Sequence, residues 1–404
     1  MSTLPLGFFG GGDPTEVAPR TYFVPAFANS AAFETDEGLV VVDVGLAMSG
    51  PAILAGLRRL TPAPVHTIVF THGHVDHAFG VDAFDAEARA AGRPRPRRLA
   101  HARVPARFRR YDVTRGLNAH INRVQFGVAE LEWPARFPWP DVTYEEAMSF
   151  TLGGERFELR HALGETDDAT WVWAPDRKVV CTGDLFIWCS PNCGNPQKVQ
   201  RYAEGWADAM DAMAGLAPEV LLPGHGPAIV GVAEVAAALH DTSAWLRSII
   251  EQTLARLNRG ERPEDVARAV RPPAHLASKP YLQPLYDRPE FVVRNLARLY
   301  GGWYDGNPAH LLPAPEAARA AEIAALAGGA DKLVARARAL AATDLALACH
   351  LVDWATLAAP ASRAAQEAKR DLFQARSADE PSLMARGIFD SAVRAAESAL
   401  RQMD

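Results

Sequence analysis

The stretch that most constrains this chain is Thr71-His72-Gly73-His74-Val75-Asp76-His77. It follows Val65-His66-Thr67-Ile68-Val69-Phe70, an apolar, β-branched run that predicts a buried strand. It precedes Ala78–Phe84, which can begin a helix. The histidines therefore occupy a loop at a strand end, where α/β folds carry ligand chemistry. In an extended loop, residues two apart project to the same side. His72 and His74 thus face one point, while Asp76 and His77, beyond the turn, address a second. Imidazole and carboxylate are ligands for zinc and similar first-row metals. With 12 His and 48 acidic residues in 404, the pattern H-x-H-x-[DE]-H arises by chance in about one such chain in a thousand. A metal site is the better reading than a solvated histidine-rich loop.

Other strand ends carry the same chemistry. Thr21–Val44 reads as strand, turn, strand, with Asp36-Glu37-Gly38 as the turn. Asp43 then either orients a metal ligand or caps the helix expected over 50–59. Phe157–His161 begins a strand leading to Glu165. Trp171–Trp173 and Lys178–Cys181 form a hairpin around Pro175-Asp176, which brings Glu165 and Asp184 to one sheet end. Leu221-Leu222 feeds His225. Near Glu165, His161, Asp167 and Asp168 are rival donors.

A net charge of −6 offers no basic excess for nucleic acid or an anionic membrane surface. No apolar run approaches the ~18 residues of a membrane span, and Met1–Gly7 lacks the character of a signal peptide. Residues 1–20, rich in Gly and Pro, read as an arm. The four cysteines, Cys181, Cys189, Cys193 and Cys349, are too few for a disulfide framework. Free thiols in a reducing cytoplasm are expected rather than half a zinc site at Cys189/Cys193. Residues 86–147 read as the least regular segment. Arg93–Arg98 is a solvated connection, Arg107, Arg109, Arg110 and Arg115 are ambiguous, and Trp133, Phe137, Trp139 and Tyr144 form either an apolar wall or ordinary packing. After about residue 230 strand signals vanish. Four or five helices are expected beyond Pro315, broken near Gly328-Gly329, Thr343-Asp344, Pro360 and Pro381. His275, His310 and His350 are isolated there and read as structural.

His72-x-His74-x-Asp76-His77 resembles the metal motif of the metallo-β-lactamase superfamily, and further landmarks follow in order. Leu39–Gly45 resembles the early Asp-x-Gly strand, Leu163-Gly164-Glu165-Thr166 the Pro-Gly-His-Thr loop, Thr182-Gly183-Asp184 the later Gly-Asp, and Pro223-Gly224-His225-Gly226 the last histidine loop. Glu165 stands where most of the superfamily has histidine, which is similar to type III alkylsulfatases. Pro191–Lys198 and Gly302–Ala309 resemble that branch too, the second at the start of its dimerisation domain. The resemblance implies an α/β fold: an αββα sandwich over residues 1–240, then an all-α dimerisation domain over 241–404. A further lipid-carrier-like domain, common in that branch, is not expected before Asp404.

By the same resemblance His72, His74 and Glu165 hold one metal, Asp76, His77 and His225 the other, and Asp184 bridges both. The cofactor expected is two Zn2+, with iron or manganese also compatible with the ligands. Two cations about 3.5–4 Å apart share a bound water and lower its pKa toward 7, giving a hydroxide nucleophile. Asp76 and Asp184 are thus the catalytic carboxylates. Asn192, Asn195, Lys198 and Arg201 either bind sulfate or form an ordinary solvated loop. Tyr281, Tyr286 and Trp303 either line an apolar wall or pack in the core. The expected function is hydrolysis of a small-molecule alkyl sulfate by a homodimer joined through its helical domain. The competing readings are hydrolysis of a lactone, thioester, β-lactam or phosphodiester, and a non-catalytic, metal-stabilised dimer scaffold.

Overall fold

The computed structural model describes residues 12–404. The reading of Met1–Gly7, and most of the expected N-terminal arm, lie outside the described residues. The arm is not all loop. Thr15–Ala18 forms a strand, β1, which turns back at Arg20 (φ 54°) to pair with β2, Thr21–Val24. The described chain divides into two compact units: the chain up to Arg115 together with Pro134–Tyr300, and Gly116–Trp133 together with Gly301–Asp404.

The first unit is an αββα sandwich. Its first sheet runs β1, β2, β3 (Ser30–Thr35), β4 (Gly38–Val42), β5 (Val65–Val69), β6 (Arg97–His101) and β7 (Val142–Tyr144) in chain order. The pairing is antiparallel as far as β4 and parallel from β4 onward. The second sheet contains β8 (Ala147–Leu152), β9 (Glu155–Ala162), β10 (Ala169–Ala174), β11 (Val179–Gly183), β12 (Val220–Pro223) and β13 (Ile229–Val230), in the order β13-β12-β11-β10-β9-β8. Alternation along the strands decides what each face buries. Phe33, Val40, Val42 and Val69 meet Phe157, Leu159, Val172, Val179 and Leu222 between the sheets. Trp171, Trp173, Val180 and Leu221 point the other way, into a second core with Trp206, Met210, Leu239 and Leu246 from helices Ala203–Ala214 and Val232–Leu257. The sequence division at residue 240 falls inside this last helix, and 241–300 cluster with the first unit. On the outer side of the first sheet, helices Gly50–Arg58 and Val81–Ala90 are tied by the Arg58–Glu87 ion pair.

Residues 86–147 are more regular than their sequence suggested. They contain β6, β7 and the helices Val104–Val113 and Arg115–Phe126. Pro105 sits in the first turn of its helix, where a missing N–H costs nothing, and Arg107 is buried by an ion pair rather than solvated. Phe137, half-buried, and Trp139, exposed, pack on the buried ring of Phe108 at 5.5 and 5.6 Å. Arg95 pairs with Asp141, and Arg98 with Asp85.

The second unit is helical. Helices Glu316–Ala327, Ala330–Leu340, Leu345–Ala358, Arg363–Ala378 and Leu383–Arg401 end at the breaks expected from sequence. Asp344, Ser362 and Ser382 cap three of them through their side chains, each such cap contributing ~1 kcal/mol. Small alanine faces and Leu333, Val352 and Leu372 form the core. No described helix is long and apolar enough to cross a membrane.

Candidate metal centre

Five strand ends converge on one edge of the sandwich. β5 delivers His72, His74, Asp76 and His77, the loop after β9 delivers Glu165, β11 delivers Asp184, β12 delivers His225, and β4 delivers Asp43. His72, His74, Glu165 and Asp184 each present one donor atom within 4.8 Å of the others, and so do Asp76, His77 and His225. Asp184 faces both groups. Its Oδ2 lies 3.7 Å from His72 Nε2, while its Oδ1 lies 3.1 Å from His77 Nε2 and 3.3 Å from His225 Nε2. Two glycines make this approach possible. Gly183 has φ 50°, and any Cβ there would strike Thr71; a Cβ on Gly224 would sit 2.3 Å from Asp184 Oδ1.

The donor set fits a cation on an observation internal to the protein. His77 Nε2, Glu165 Oε2 and Asp184 Oδ1 are buried without a hydrogen-bond partner. A divalent ion is the species that would satisfy donors of this type together.

The surroundings hold these atoms in place. Asp43 accepts the Thr71 N–H at 2.8 Å and the Thr71 hydroxyl at 2.6 Å, and its Oδ2 stands 2.7 Å from His77 Nδ1. Its part is thus to orient His77, leaving Nε2 to face the site. His225 Nδ1 is fixed by the Phe27 carbonyl. The rival donors point elsewhere. His161 stacks on His101 at 3.8 Å and bonds the Asp167 carbonyl. Asp167 and Asp168 take the buried guanidinium of Arg107 at 2.7 and 2.6 Å, and Asp168 also accepts the Gly73 N–H, between His72 and His74.

In the loop after Asp184, Asn192 and Arg201 both donate to Glu165 Oε1, and Arg201 also bonds the Asn192 carbonyl at 2.6 Å. Asn195 is buried and accepts the Gln197 N–H at 3.1 Å; Lys198 is half-buried. One residue acquires a role that sequence did not assign. Arg107 is one of several arginines in an unremarkable helix, and only the fold selects it. Tyr286, expected either in an apolar wall or in core packing, packs against Ile187 and Cys189, and burial, with Glu165 and Asp76, pushes its hydroxyl well up. Trp303 is exposed in the second unit and Tyr281 donates to Asp241.

Charge is distributed unevenly. Burial and the neighbouring His77 hold His72 down at about 3, and burial with His72 pushes His74 well below its ordinary value, so both imidazoles are neutral, with His72 Nε2 and His74 Nδ1 2.8 Å apart. Burial also opposes charge on His77, but Asp184, Asp76 and Asp43 outweigh it and raise that imidazole well above its ordinary value. Burial pushes the Glu165 carboxyl up, with Asp184 reinforcing it against Arg201. His77 and Glu165 therefore hold protons near neutrality until a cation displaces them. Metal loading should release protons, and affinity should climb between pH 6 and 8, by up to about tenfold per unit for each proton displaced. Isothermal titration in buffers of differing ionisation enthalpy measures this; a flat profile would contradict it.

Residues 24–225 match the metallo-beta-lactamase superfamily. The chain belongs to that superfamily. Residues 262–399 match the alkyl sulfatase dimerisation family. Among superfamily relatives, the chain is 28% identical over 330 residues to a linear primary-alkylsulfatase of a Pseudomonas species, covering 74% of this chain and 61% of that protein. It is 27% identical over 388 residues to an (R)-specific secondary-alkylsulfatase of Pseudomonas, covering 89% and 58%. The solved structure of the stereoselective inverting sec-alkylsulfatase Pisa1 from Pseudomonas superposes with a TM-score of 0.86 at 24% identity, over 95% of this chain and 65% of that one. The chain thus spans less than two thirds of the length of these relatives. The superfamily membership and the clustered His, Asp and Glu donors together support use of a divalent metal.

Proposed function

We propose that this protein hydrolyses alkyl sulfate esters to sulfate and an alcohol, using two divalent cations, zinc first among them, as a homodimer joined through its helical region. The observation that carries the reading is Asp184, whose two oxygens address two separate donor groups, in a chain similar to alkylsulfatases along most of its length. His72, His74 and Glu165 would hold one cation and Asp76, His77 and His225 the other, with Asp184 shared. When bound, the cations supply an activated water and positive charge toward the ester oxygens. Because Asn192 and Arg201 each direct a donor at Glu165, the sulfate oxygens fall to Lys198, Asn195 and the remaining N–H groups of that loop. Four buried free cysteines are in keeping with a reducing cytoplasm.

The test is turnover by the zinc-reconstituted full chain. Dodecyl sulfate should release sulfate, while a lactone, a glutathione thioester, a β-lactam and a phosphodiester should react far more slowly. Preferential turnover of one of those would replace the substrate class, and no turnover combined with a chelator-sensitive melting temperature would favour a scaffold. A pH dependence follows as well. Burial, with Arg201 adding to it, lowers the Lys198 ammonium to about 8. Its charge is present below that pH and lost above it, so KM for a sulfate ester should rise above pH 8. Lys198→Arg, charged throughout, should flatten that limb; an unchanged limb would remove Lys198 from the binding site.

A further inference from the structure

Glu165 is an unusual donor because its charge is compensated from behind. Its carboxylate is divided: Oε1 receives Arg201 and Asn192, while Oε2 is buried with no hydrogen-bond partner. Arg201 is itself buried, and its carbonyl is held by two side chains, those of Asn295 and Gln200. Asn295, in helix Pro289–Gly301, donates to the Arg201 carbonyl at 2.8 Å and accepts the Gln200 side chain at 3.0 Å. The same loop is pinned again at Gly194, whose N–H meets Asp287 Oδ2 at 2.6 Å, and at Ser190, whose N–H meets the Gln283 carbonyl at 2.9 Å. Gly194 has no room for a side chain, since a Cβ would fall 2.1 Å from the Phe291 backbone.

We propose that Arg201 and Asn192 are positioning residues for Glu165, holding one carboxylate oxygen so that the other is presented to the His72/His74 cluster, and that Asn295 anchors this clamp. The inference rests on the reading of that cluster as a metal site. It separates Arg201 from the oxyanion-binding role that a loop arginine beside a sulfate ester would otherwise take. A carboxylate free to rotate or to chelate with both oxygens would present a variable donor; the clamp removes that freedom. It also lets a glutamate stand beside Asp184 without two uncompensated negative charges in one buried volume.

The experiment uses the full chain titrated with Co2+, read by its visible d–d spectrum and by competition with a chromophoric chelator, alongside inhibition of the zinc-loaded enzyme by inorganic sulfate. Arg201→Lys should weaken the tighter Co2+ site about 10–100-fold and alter its spectrum, the loss expected for a partner of a metal ligand. Asn192→Ala and Asn295→Ala should move the same site in the same direction by less. Sulfate inhibition of the loaded variants should stay within about threefold of the parent. If Arg201→Lys folds poorly, the Glu165→Gln/Arg201→Met pair removes both charges together. In the Glu165→Gln background, Arg201→Met should then leave Co2+ affinity unchanged. Unaltered Co2+ binding with lost sulfate inhibition in Arg201→Lys would overturn the proposal and make Arg201 an anion ligand. Failure of the parent protein to bind Co2+ at all would instead overturn the metal reading beneath it.

Discussion

Asp184→Asn should lower bound metal from two ions per chain to at most one and reduce alkyl sulfate turnover by more than about 100-fold, since partners one step removed from a metal already cost 10–100-fold. The substitution is close to isosteric, and Gly224 leaves the space that Asp184 Oδ1 occupies, so the fold should survive. Its effect is electronic. Burial works against the Asp184 charge, but His77 and His225 outweigh it and hold the carboxyl well below its ordinary value. An amide removes that charge and offers one weak oxygen where two anionic ones faced two donor groups. His225→Ala is the comparison: it takes a donor from one group only and should spare the ion held by His72, His74 and Glu165. Metal analysis of desalted protein beside sulfate-release assays reads both. Two retained ions with turnover within tenfold of the parent would remove Asp184 from the centre of the site.

The strand-end placement of these donors was legible in the chain because strand and loop chemistry are local. The β-branched run before Thr71, the turn at Asp36-Glu37-Gly38 and the hairpin around Pro175-Asp176 each specify themselves within a few residues, and β5, β4 and the β10–β11 hairpin follow them. The helix breaks beyond Pro315 were legible for the same reason, since Gly328-Gly329, Thr343-Asp344, Pro360 and Pro381 are local signals, and the helices end beside them. What sequence could not reveal is pairing across distance. Arg107 and Asp168 are 61 positions apart, and Arg201 and Glu165 are 36 apart. Nothing in either local pattern separates a buried arginine from its exposed neighbours Arg103 and Arg109. The strand at Thr15–Ala18 escaped notice because its signal is four residues long beside a Gly-rich stretch, and it is completed only by pairing with β2.

Arg107→Met should destabilise the protein by about 3–5 kcal/mol, because it leaves Asp168 as a buried charge without its cation. Thermal unfolding of the metal-free protein should fall by roughly 10 °C. Arg107 is almost fully buried, and Asp168 is fully so. Burial works against the Asp168 charge, yet Arg107 outweighs it and holds the carboxyl below its ordinary range. In the parent, that pair therefore contributes stability above the unfolded carboxyl pKa, and the contribution is lost as pH falls through the folded value. In the variant burial, the largest influence on this carboxyl, is opposed only by weaker partners such as Thr166 and the Gly73 N–H, and the sign reverses: Asp168 takes up a proton, and the penalty grows as pH rises. The stability gap between the two should consequently widen from pH 4 to pH 7. Adding Asp168→Asn to Arg107→Met should recover most of the loss, since neither charge then remains. The metal loop should respond as well, because Asp168 Oδ2 accepts the Gly73 N–H at 3.2 Å, and Gly73 separates His72 from His74. With that anchor loosened, the affinity of the His72/His74 group should drop about 10-fold or more, even in the double variant whose stability is restored. A double variant with both full stability and parental metal affinity would show that the Arg107–Asp168 pair serves the fold alone.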